Sequence, residues 1–452
     1  MRSTRRLLDR HSLAVVILSC VGPAGAAASC SREDVEMGRI ESDAGSDAPP
    51  QLHEDASVDA PPPDAGAFDG APLPVACEST PCATSLVTTL GANVSDRSEG
   101  FCALLSDGTV ACWGAGEAGQ LGRGEDASIA NSATAARVVG LSGIVSIHHT
   151  CAIDSAGAVH CWGTGPYLVD DASPTSMERT PVKLPLPRAT KVSVSSSTGC
   201  AAVETGVVCW GLNHNGQIAP FDYASYGKVF PPQAIPVPAG APISELVVGA
   251  ASFVVREDGS SSSWGANPPL GRASPLFPDP FPMPVELDGI SNMDVAHDNA
   301  CAVAGGIGYC WGAIIESPGE PISTTERAIP APVATPTPIV QIATTRTFVD
   351  TEFGARIVQP QRWCASAASG DVYCWGYNAS GQVGDGTKND ALNAVKVAGL
   401  PGPAAQVKTT PDATCALLTS GKVYCWGSNF YGQLGNGTIK VASLVPKEVV
   451  LP

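Results

Sequence analysis

The sequence predicts an all-β chain folded as a seven-bladed β-propeller. Three observations carry that expectation. The phrase "CALLSDGTVACWG" at 102–114 returns six more times along the chain. Its strands are apolar on both faces. And Gly and Pro are abundant, 48 and 39 of 452 residues, which favours turns and short strands over helices.

The later copies read "CAIDSAGAVHCWG" at 151–163, "CAAVETGVVCWG" at 200–211, "FVVREDGSSSSWG" at 253–265, "CAVAGGIGYCWG" at 301–312, "CASAASGDVYCWG" at 364–376 and "CALLTSGKVYCWG" at 415–427. Their Trp-Gly pairs begin at Trp113, Trp162, Trp210, Trp264, Trp311, Trp375 and Trp426, at spacings of 47 to 64 residues. A fixed period in this range marks a solenoid or a propeller.

Each copy reads as a β-hairpin. In the first, Ser106-Asp107-Gly108 is a three-residue loop with Gly where a positive φ is needed. That register pairs Leu105 with Thr109 and places Cys102 opposite Cys112. Copies three and five are one residue shorter, and in the fifth a two-residue Gly305-Gly306 loop keeps Cys301 opposite Cys310. Opposed strand residues lie at a separation that fits a disulfide. In the fourth copy both cysteine positions change together, to Phe253 and Ser263. The pairs expected within hairpins are therefore Cys102–Cys112, Cys151–Cys161, Cys200–Cys209, Cys301–Cys310, Cys364–Cys374 and Cys415–Cys425. Isolated pairs without C-x₂-C or a nearby His pair do not suit zinc.

The hairpin faces separate cleanly. Cys102, Leu104, Val110 and Cys112 share one, and Ala103, Leu105, Ala111 and Trp113 the other. A blade packed between two neighbours needs both faces apolar, whereas a sandwich sheet keeps one side wet. Each repeat is read as a "P-x-x-V" strand, an "I-V-x-I" strand and the hairpin. The first copy starts late, at "TSLVTTLGANV", and the chain ends on "SLVPKEVVLP", so Val445–Leu451 is expected to complete the first blade and close the ring.

The organisation ahead of the repeats is read as export. Residues 1–30 combine a basic start (Arg2, Arg5, Arg6, Arg10), the short apolar stretch "SLAVVILSCVGPAG" and the small-residue end "AAASC", the pattern of a signal peptide. "AASC" resembles a bacterial lipobox, with Ala27 where Leu is usual, making Cys30 the expected lipid anchor; Cys20 in "ILSC" is the second candidate, and secretion without lipid the alternative. Residues 31–76 hold eleven acidic and two basic residues with few large apolar ones. Such a segment cannot bury enough surface to offset its ordering entropy and is expected to be a disordered tether. Residues 77–452 are the propeller. "CESTPC" at 77–82 is expected to form a small Cys77–Cys82 loop pinning the tether. Fourteen of the sixteen cysteines then make seven pairs, which implies an oxidising compartment.

The phrase C-A-L-x-x-x-G-x-V-x-C-W-G-x-N-x-x-G-Q-L-G-x-G resembles the regulator of chromosome condensation repeat. The seventh copy, "CALLTSGKVYCWGSNFYGQLGNGT", matches best. The sixth carries "CWGYNASGQVGDGT", the first "CWGAGEAGQLGRG" and the third only "NGQI"; copies two, four and five lose the Gly-Gln-Leu-Gly turn. The resemblance spans residues 84–452 and implies a seven-bladed propeller.

Catalytic chemistry has little to stand on. No H-E-x-x-H, Walker loop, G-x-S-x-G or dinucleotide fingerprint occurs, so no enzyme activity, cofactor or metal is expected. Of the histidines at 148, 149, 160, 214 and 297, His148 and His149 in "SIHHTCAI" are open to a metal or catalytic reading, with blade-edge packing the expectation. Trp363 stands outside the repeat positions, as a binding aromatic or, as expected, packing over the adjacent hairpin. Two irregular segments are open to a binding role or to tolerated surface variation: "IAPFDYASYGKVFPPQAIPVPAGAP", and "TTRTFVDTEFGARIVQPQRW" with Arg346, Arg356 and Arg362.

The chain carries a formal net charge of −17 and no basic stripe, which argues against nucleic-acid binding. The functional expectation is a non-enzymatic, monomeric binding scaffold displayed at a bacterial cell envelope, its partner a protein or envelope glycan. The alternatives are a guanine-nucleotide exchange role implied by the resemblance, or inhibition of a secreted enzyme.

Overall fold

The computed structural model describes residues 68–452 apart from 69, 94, 126–129, 169–172, 174, 221–226, 313–327 and 353–354. The expected signal peptide, with Cys20 and Cys30, and most of the expected tether lie outside the described residues. What is described is all β: seven four-stranded antiparallel sheets and one extra hairpin.

Blade 1 consists of Ala83–Thr88, Gly100–Leu105, Val110–Gly114 and Ser132–Arg137, from innermost to outermost strand. The innermost strands of blades 2 to 7 are Ile144–His148, Ala189–Val194, Ile243–Val248, Ile290–Ala296, Ile339–Thr344 and Ala404–Thr409. In every blade the chain moves outward strand by strand, so the innermost strands all end, and the second strands all begin, at one face, here called the top. The turns between second and third strands lie at the bottom.

The register is the one the hairpins imply. Cys102 opposes Cys112, Cys301 opposes Cys310 and Phe253 opposes Ser263. Cys102–Cys112, Cys151–Cys161, Cys200–Cys209, Cys301–Cys310, Cys364–Cys374 and Cys415–Cys425 are disulfides, each with a Cα–Cα separation of 4.1 Å. Cys77 and Cys82 form a seventh. Seven disulfides place the folded chain in an oxidising environment.

The two apolar faces of each hairpin meet different neighbours. Cys102, Leu104, Val110 and Cys112 pack with Ile144, Ile147 and Trp162 of blade 2. Ala103, Leu105, Ala111 and Trp113 pack with Leu417, Leu434 and Val449 of blade 7. The conserved-looking wording of the repeat follows from one joint. The loop Asn holds its own turn, as Asn429 Oδ1 accepts from Leu434 N–H at 3.0 Å. The loop Gln then offers its carbonyl to the indole of the next blade. Trp162 Nε1 donates to Gln120 O, Trp264 to Gln217 O and Trp426 to Gln382 O at 2.9 to 3.0 Å. Where the Gln is lost a proline carbonyl serves instead: Trp210 donates to Pro166 O and Trp311 to Pro269 O. The glycine ending the turn makes room. At Gly384, with φ of 82°, a Cβ would stand 2.5 Å from Trp426 Nε1.

Ring closure differs from the sequence expectation. Ser443–Glu448 pairs with Val423–Gly427 as the outermost strand of blade 7, and blade 1 supplies its own outermost strand. The "P-x-x-V" strand ends a blade instead of beginning one. The chain therefore enters in phase, on an innermost strand, and no strand is borrowed across the seam. The seam is closed by the same joints as every other interface. Trp113 Nε1 donates to Gln433 O at 2.9 Å, and Leu86 N–H donates to Gln406 Oε1 at 2.8 Å.

The last residues of the expected tether are in contact with the propeller. Ala76 N–H donates to Thr419 O, Leu73 lies beside Gly370, and the Phe68 ring lies beside Gly306. These three partners belong to bottom turns or their flanks in blades 7, 6 and 5, so the N-terminal segment crosses the bottom face. Cys82 ends this strap inside the seam, its carbonyl accepting from Ser106 N–H of blade 1 and its sulfur next to Gly421 of blade 7.

Candidate binding site at the propeller hub

The seven innermost strands line a channel, and comparing them position by position locates its polar groups. Opposite the first hairpin cysteine, or its Phe253 replacement, stand Val87, His148, Ser193, Val247, Asp294, Ala343 and Lys408. Two residues earlier stand Ser85, Ser146, Lys191, Glu245, Asn292, Gln341 and Gln406. Several of the latter reach sideways to the next blade's backbone: Asn292 Oδ1 accepts from Ile342 N–H and Gln341 Oε1 from Val407 N–H. The lower hub is thus a structural girdle.

Above the girdle is a cavity of about 220 Å³ at the top face, lined by all seven blades. Lys408 Nζ lies 3.2 Å from Asp294 Oδ1 across it. His148 and His149 both line it. His149 has a left-handed backbone, with φ of 49°, and its Nδ1 lies 3.1 Å from Thr88 O; a carbonyl only accepts, so that nitrogen carries the proton. His148 Nε2 faces Ser193 Oγ at 3.3 Å, while its Nδ1 is buried without a partner. Burial holds His148 well below the usual imidazole range and brings His149 down to about 4. Both rings are neutral at pH 7.

The carboxyls shift the other way. Burial raises Glu99 to about 8 against the pull of Arg346, and raises Glu245 to about 7 against Lys408. Glu245 Oε1 accepts from Asn292 Nδ2 at 3.3 Å, and its Oε2 is buried without a partner.

Two long top-face connections meet beside the cavity. Blade 1 connects its first two strands through residues 89–99, and blade 6 inserts the hairpin Phe348–Glu352/Ala355–Gln359 in the equivalent place. They flank blade 7 and join over it. Arg97 pairs with Asp412 at 2.7 Å and bonds Gln359. The guanidinium groups of Arg97 and Arg346 both lie over the Phe348 ring, at 5.0 and 4.1 Å. Arg346 also donates to Asp96 O.

The residues singled out in the sequence divide accordingly. His148, His149, His297 and Arg346 come together at the cavity. His160 pairs with Asp154 on blade 2, away from it. Trp363 is buried and stacked on Trp375 at 6.0 Å. Arg362 departs from both readings of its segment, a binding role or surface variation. It is wholly buried and donates to Thr410 O, Ala413 O and Thr414 Oγ1 of blade 7, so it ties two blades together. The side chain of Arg356 lies outside the described residues. In the other irregular segment Val229–Ile235 forms the outermost strand of blade 3. Glu99, Glu245, Asp294 and Lys408 were missed. Asp294 and Lys408 each precede their hairpin cysteine by seven residues, a repeat offset that would have found them. Among the described residues no three His, Cys, Asp or Glu side chains are placed to hold a metal ion.

Comparison with known proteins bears on the fold. Models of the regulator of chromosome condensation (RCC1) repeat match residues 369–417 and 420–452, and a second such model matches 405–433. The chain is 43% identical over 67 residues to the E3 ubiquitin-protein ligase MYCBP2 of Danio rerio, covering 15% of this chain and 2% of that protein. It is 34% identical over 80 residues to the ultraviolet-B receptor UVR8 of Arabidopsis thaliana, 18% of each. These matches take in only a small part of either relative. Among solved structures, Prp20p from Saccharomyces cerevisiae superimposes with a TM-score of 0.58 at 19% identity, over 75% of this chain and 85% of that one. Human WBSCR16 gives 0.59 at 17%, over 76% and 95%. Residues 369–452 thus match the regulator of chromosome condensation repeat, and the propeller that contains them has the fold of Prp20p and WBSCR16.

Proposed function

We propose that the chain is an exported, non-enzymatic binding scaffold, held at the cell envelope through Cys30, that recognises a protein or envelope glycan with its top face. One observation supports this reading above the others. The N-terminal segment leaves across the bottom of blades 5 to 7, while the polar cavity and the two longest inner connections occupy the top. Strands of about six residues separate the faces by roughly 20 Å, so a tether at the bottom leaves the top free. The disulfides favour an oxidising site of action and disfavour a cytosolic exchange factor. Prp20p is described as binding Gsp1p and histones; at 19% identity that likeness extends to the fold. The test is a photo-crosslinker placed at Asn93 on the top face or at Lys422 on a bottom turn, in cells also labelled with lipid precursor. Top-face crosslinks to an envelope component and a label abolished by Cys30→Ser are expected. Crosslinks from Lys422 alone, or an unlabelled cytosolic protein, would sink the proposal.

A further inference from the structure

Arg362 opens the second strand of blade 6, Arg362–Ala367. It stands opposite Gly376, the glycine that follows the blade tryptophan. Facing the same glycine in other blades are Gly100, Thr198, Ala251, Asn299 and Ala413. None of these is charged. Blade 6 instead puts a cation there, and the cation lies inside the protein.

The Arg362 side chain is wholly buried. Its Nη2 donates to Thr410 O and Ala413 O, and its Nη1 to Thr414 Oγ1 and Gln382 O. All four acceptors are neutral, and Nε is buried without a partner. No carboxylate among the described residues accepts a hydrogen bond from this guanidinium. Asp412 acts on it through space and is itself committed to Arg97 at 2.7 Å. Burial lowers Arg362 to about 9, which leaves it charged at pH 7. The site is a buried cation without a counter-ion, the costly state of a broken ion pair.

One further atom is within reach. Arg362 Nη1 lies 3.3 Å from Cys364 Sγ, two residues along the strand and on the same face. A disulfide sulfur is a weak, uncharged acceptor. A thiolate is an anion, and a neighbouring arginine favours it. Among the described residues, no other hairpin disulfide has an Arg or Lys nitrogen within hydrogen-bond distance of its sulfur. Three of them are otherwise matched. Cys102–Cys112, Cys151–Cys161 and Cys415–Cys425 have a sequence separation of 10 and a Cα–Cα separation of 4.1 Å, as Cys364–Cys374 has. Their loop-closure entropies are therefore alike, and Arg362 is the charge that sets Cys364–Cys374 apart.

We propose that Cys364–Cys374 is a thiol–disulfide exchange site, poised for reduction by a dithiol because Cys364 then becomes the anion that Arg362 lacks. In that exchange the dithiol gives up two electrons and closes to its own cyclic disulfide. The Cys364–Cys374 bond takes the two electrons and breaks. One of the dithiol's protons goes to Cys374, which is left as a thiol, and the other goes to solvent, which leaves Cys364 as the thiolate. The inference is independent of what the top face binds.

The experiment equilibrates the full chain with dithiothreitol and its cyclic disulfide, from both the oxidised and the reduced side, and reads each cysteine pair by differential alkylation and mass spectrometry. Reduction of Cys364–Cys374 is expected to be favoured over the three matched pairs by at least tenfold, a difference of about 30 mV, and to lose that margin in Arg362→Met. The exposed Cys77–Cys82 loop exchanges sooner, but the comparison is of equilibria among the hairpins. Arg362→Met also removes a tie between blades 6 and 7, so a second measurement keeps the arginine. In Cys374→Ser the ultraviolet absorbance of the Cys364 thiolate, taken as the difference from Cys364→Ser/Cys374→Ser, is followed against pH. A midpoint below the ordinary thiol value of about 8.5 is expected. The proposal is overturned when Cys364–Cys374 is reduced no more readily than the three matched pairs, when folded Arg362→Met keeps the margin, or when Cys364 titrates at or above the ordinary value.

Discussion

Lys408 and Asp294 meet at 3.2 Å although a whole blade lies between them. Blade 6 makes the contact possible by placing Ala343 at the equivalent position of its innermost strand. Asp294 uses its other oxygen to accept from Thr344 N–H of blade 6 at 2.8 Å. One carboxylate therefore joins blades 5, 6 and 7. Both side chains are about one-fifth exposed, between a surface pair and a buried one. A double-mutant cycle of Lys408→Met and Asp294→Asn should give a coupling of about 1 kcal/mol in chemical denaturation. Coupling indistinguishable from zero would mean that the blades are joined by their faces alone.

The seam between blades 1 and 7 carries no shared strand, so its polar joints matter more. Gln406 Oε1 accepts from Leu86 N–H, as Gln341 does from Val407 N–H one interface earlier. Removing the acceptor leaves a buried backbone donor unpaired, a cost of about 1–3 kcal/mol. Gln406→Ala and Gln341→Ala are both expected to lower the denaturation midpoint by that order. A neutral Gln406→Ala would show that water replaces the glutamine at the seam.

The seven disulfides should not behave alike. The six hairpin cysteine pairs are shut off from solvent, whereas Cys77 is exposed. Mild reductant applied to the folded protein is expected to open Cys77–Cys82 first, read by differential alkylation and mass spectrometry. The Cys77→Ser/Cys82→Ser variant removes a short loop worth about 2 kcal/mol in the unfolded chain. A lower melting temperature with unchanged spectra should follow. Simultaneous reduction of hairpin and strap would indicate that the ring opens as a whole.

How much of this was legible follows from which interactions repeat. The blade hairpins, their register and the cysteine pairing were readable because Cys102 and Cys112, and their counterparts, sit at fixed offsets around a turn of defined length. The two-sided packing was readable from the same alternation. Ring closure was misread, because "P-x-x-V" was assigned to the blade that follows it, and sequence order alone does not say which of two neighbouring sheets a strand joins. The cavity was largely hidden. Glu99 lies in a connection with no repeat counterpart, and Arg362 looks like a surface arginine until Thr410, Ala413 and Thr414 fold over it. Such contacts join residues some fifty positions apart, in different blades, where a local pattern has no reach.

The raised carboxyls predict a pH dependence with a definite sign. Glu99 faces Arg346, Asp96 and Asp412, and Glu245 faces Lys408, Asp294 and Lys191; burial outweighs these charges and places the two acids at about 8 and 7. The folded state therefore binds more protons than the unfolded one above pH 4.5, and stability falls as pH rises through each folded value. His149, brought down to about 4 from 6.5, acts oppositely: its contribution is lost as pH drops from 6.5 towards 4. Between pH 6.5 and 8.5 only the acids operate. The melting temperature should decline across that window, and Glu99→Gln should flatten the decline. An undiminished slope in that variant would assign the effect elsewhere.

Blade 4 tests whether the missing staple can be restored. Phe253 and Ser263 oppose each other in the register of the other cysteine pairs, so Phe253→Cys/Ser263→Cys should oxidise spontaneously. A closed loop of this length contributes about 3 kcal/mol. Phe253 itself is fully buried, its ring set edge-on to Trp311 at 6.0 Å. Its loss costs about 3–5 kcal/mol through lost burial and the space left behind. Ser263 Oγ also donates to Leu270 O at 2.6 Å, a buried bond that the substitution removes. The losses exceed the gain, so the bridged variant is expected to be less stable than the parent by about 1–3 kcal/mol. It should nonetheless be more stable than its own reduced form, and the comparison of the two by thermal denaturation separates the staple from the packing. A bridged variant more stable than the parent would mean that blade 4 collapses around the smaller pair, and that Phe253 fills space the blade does not need.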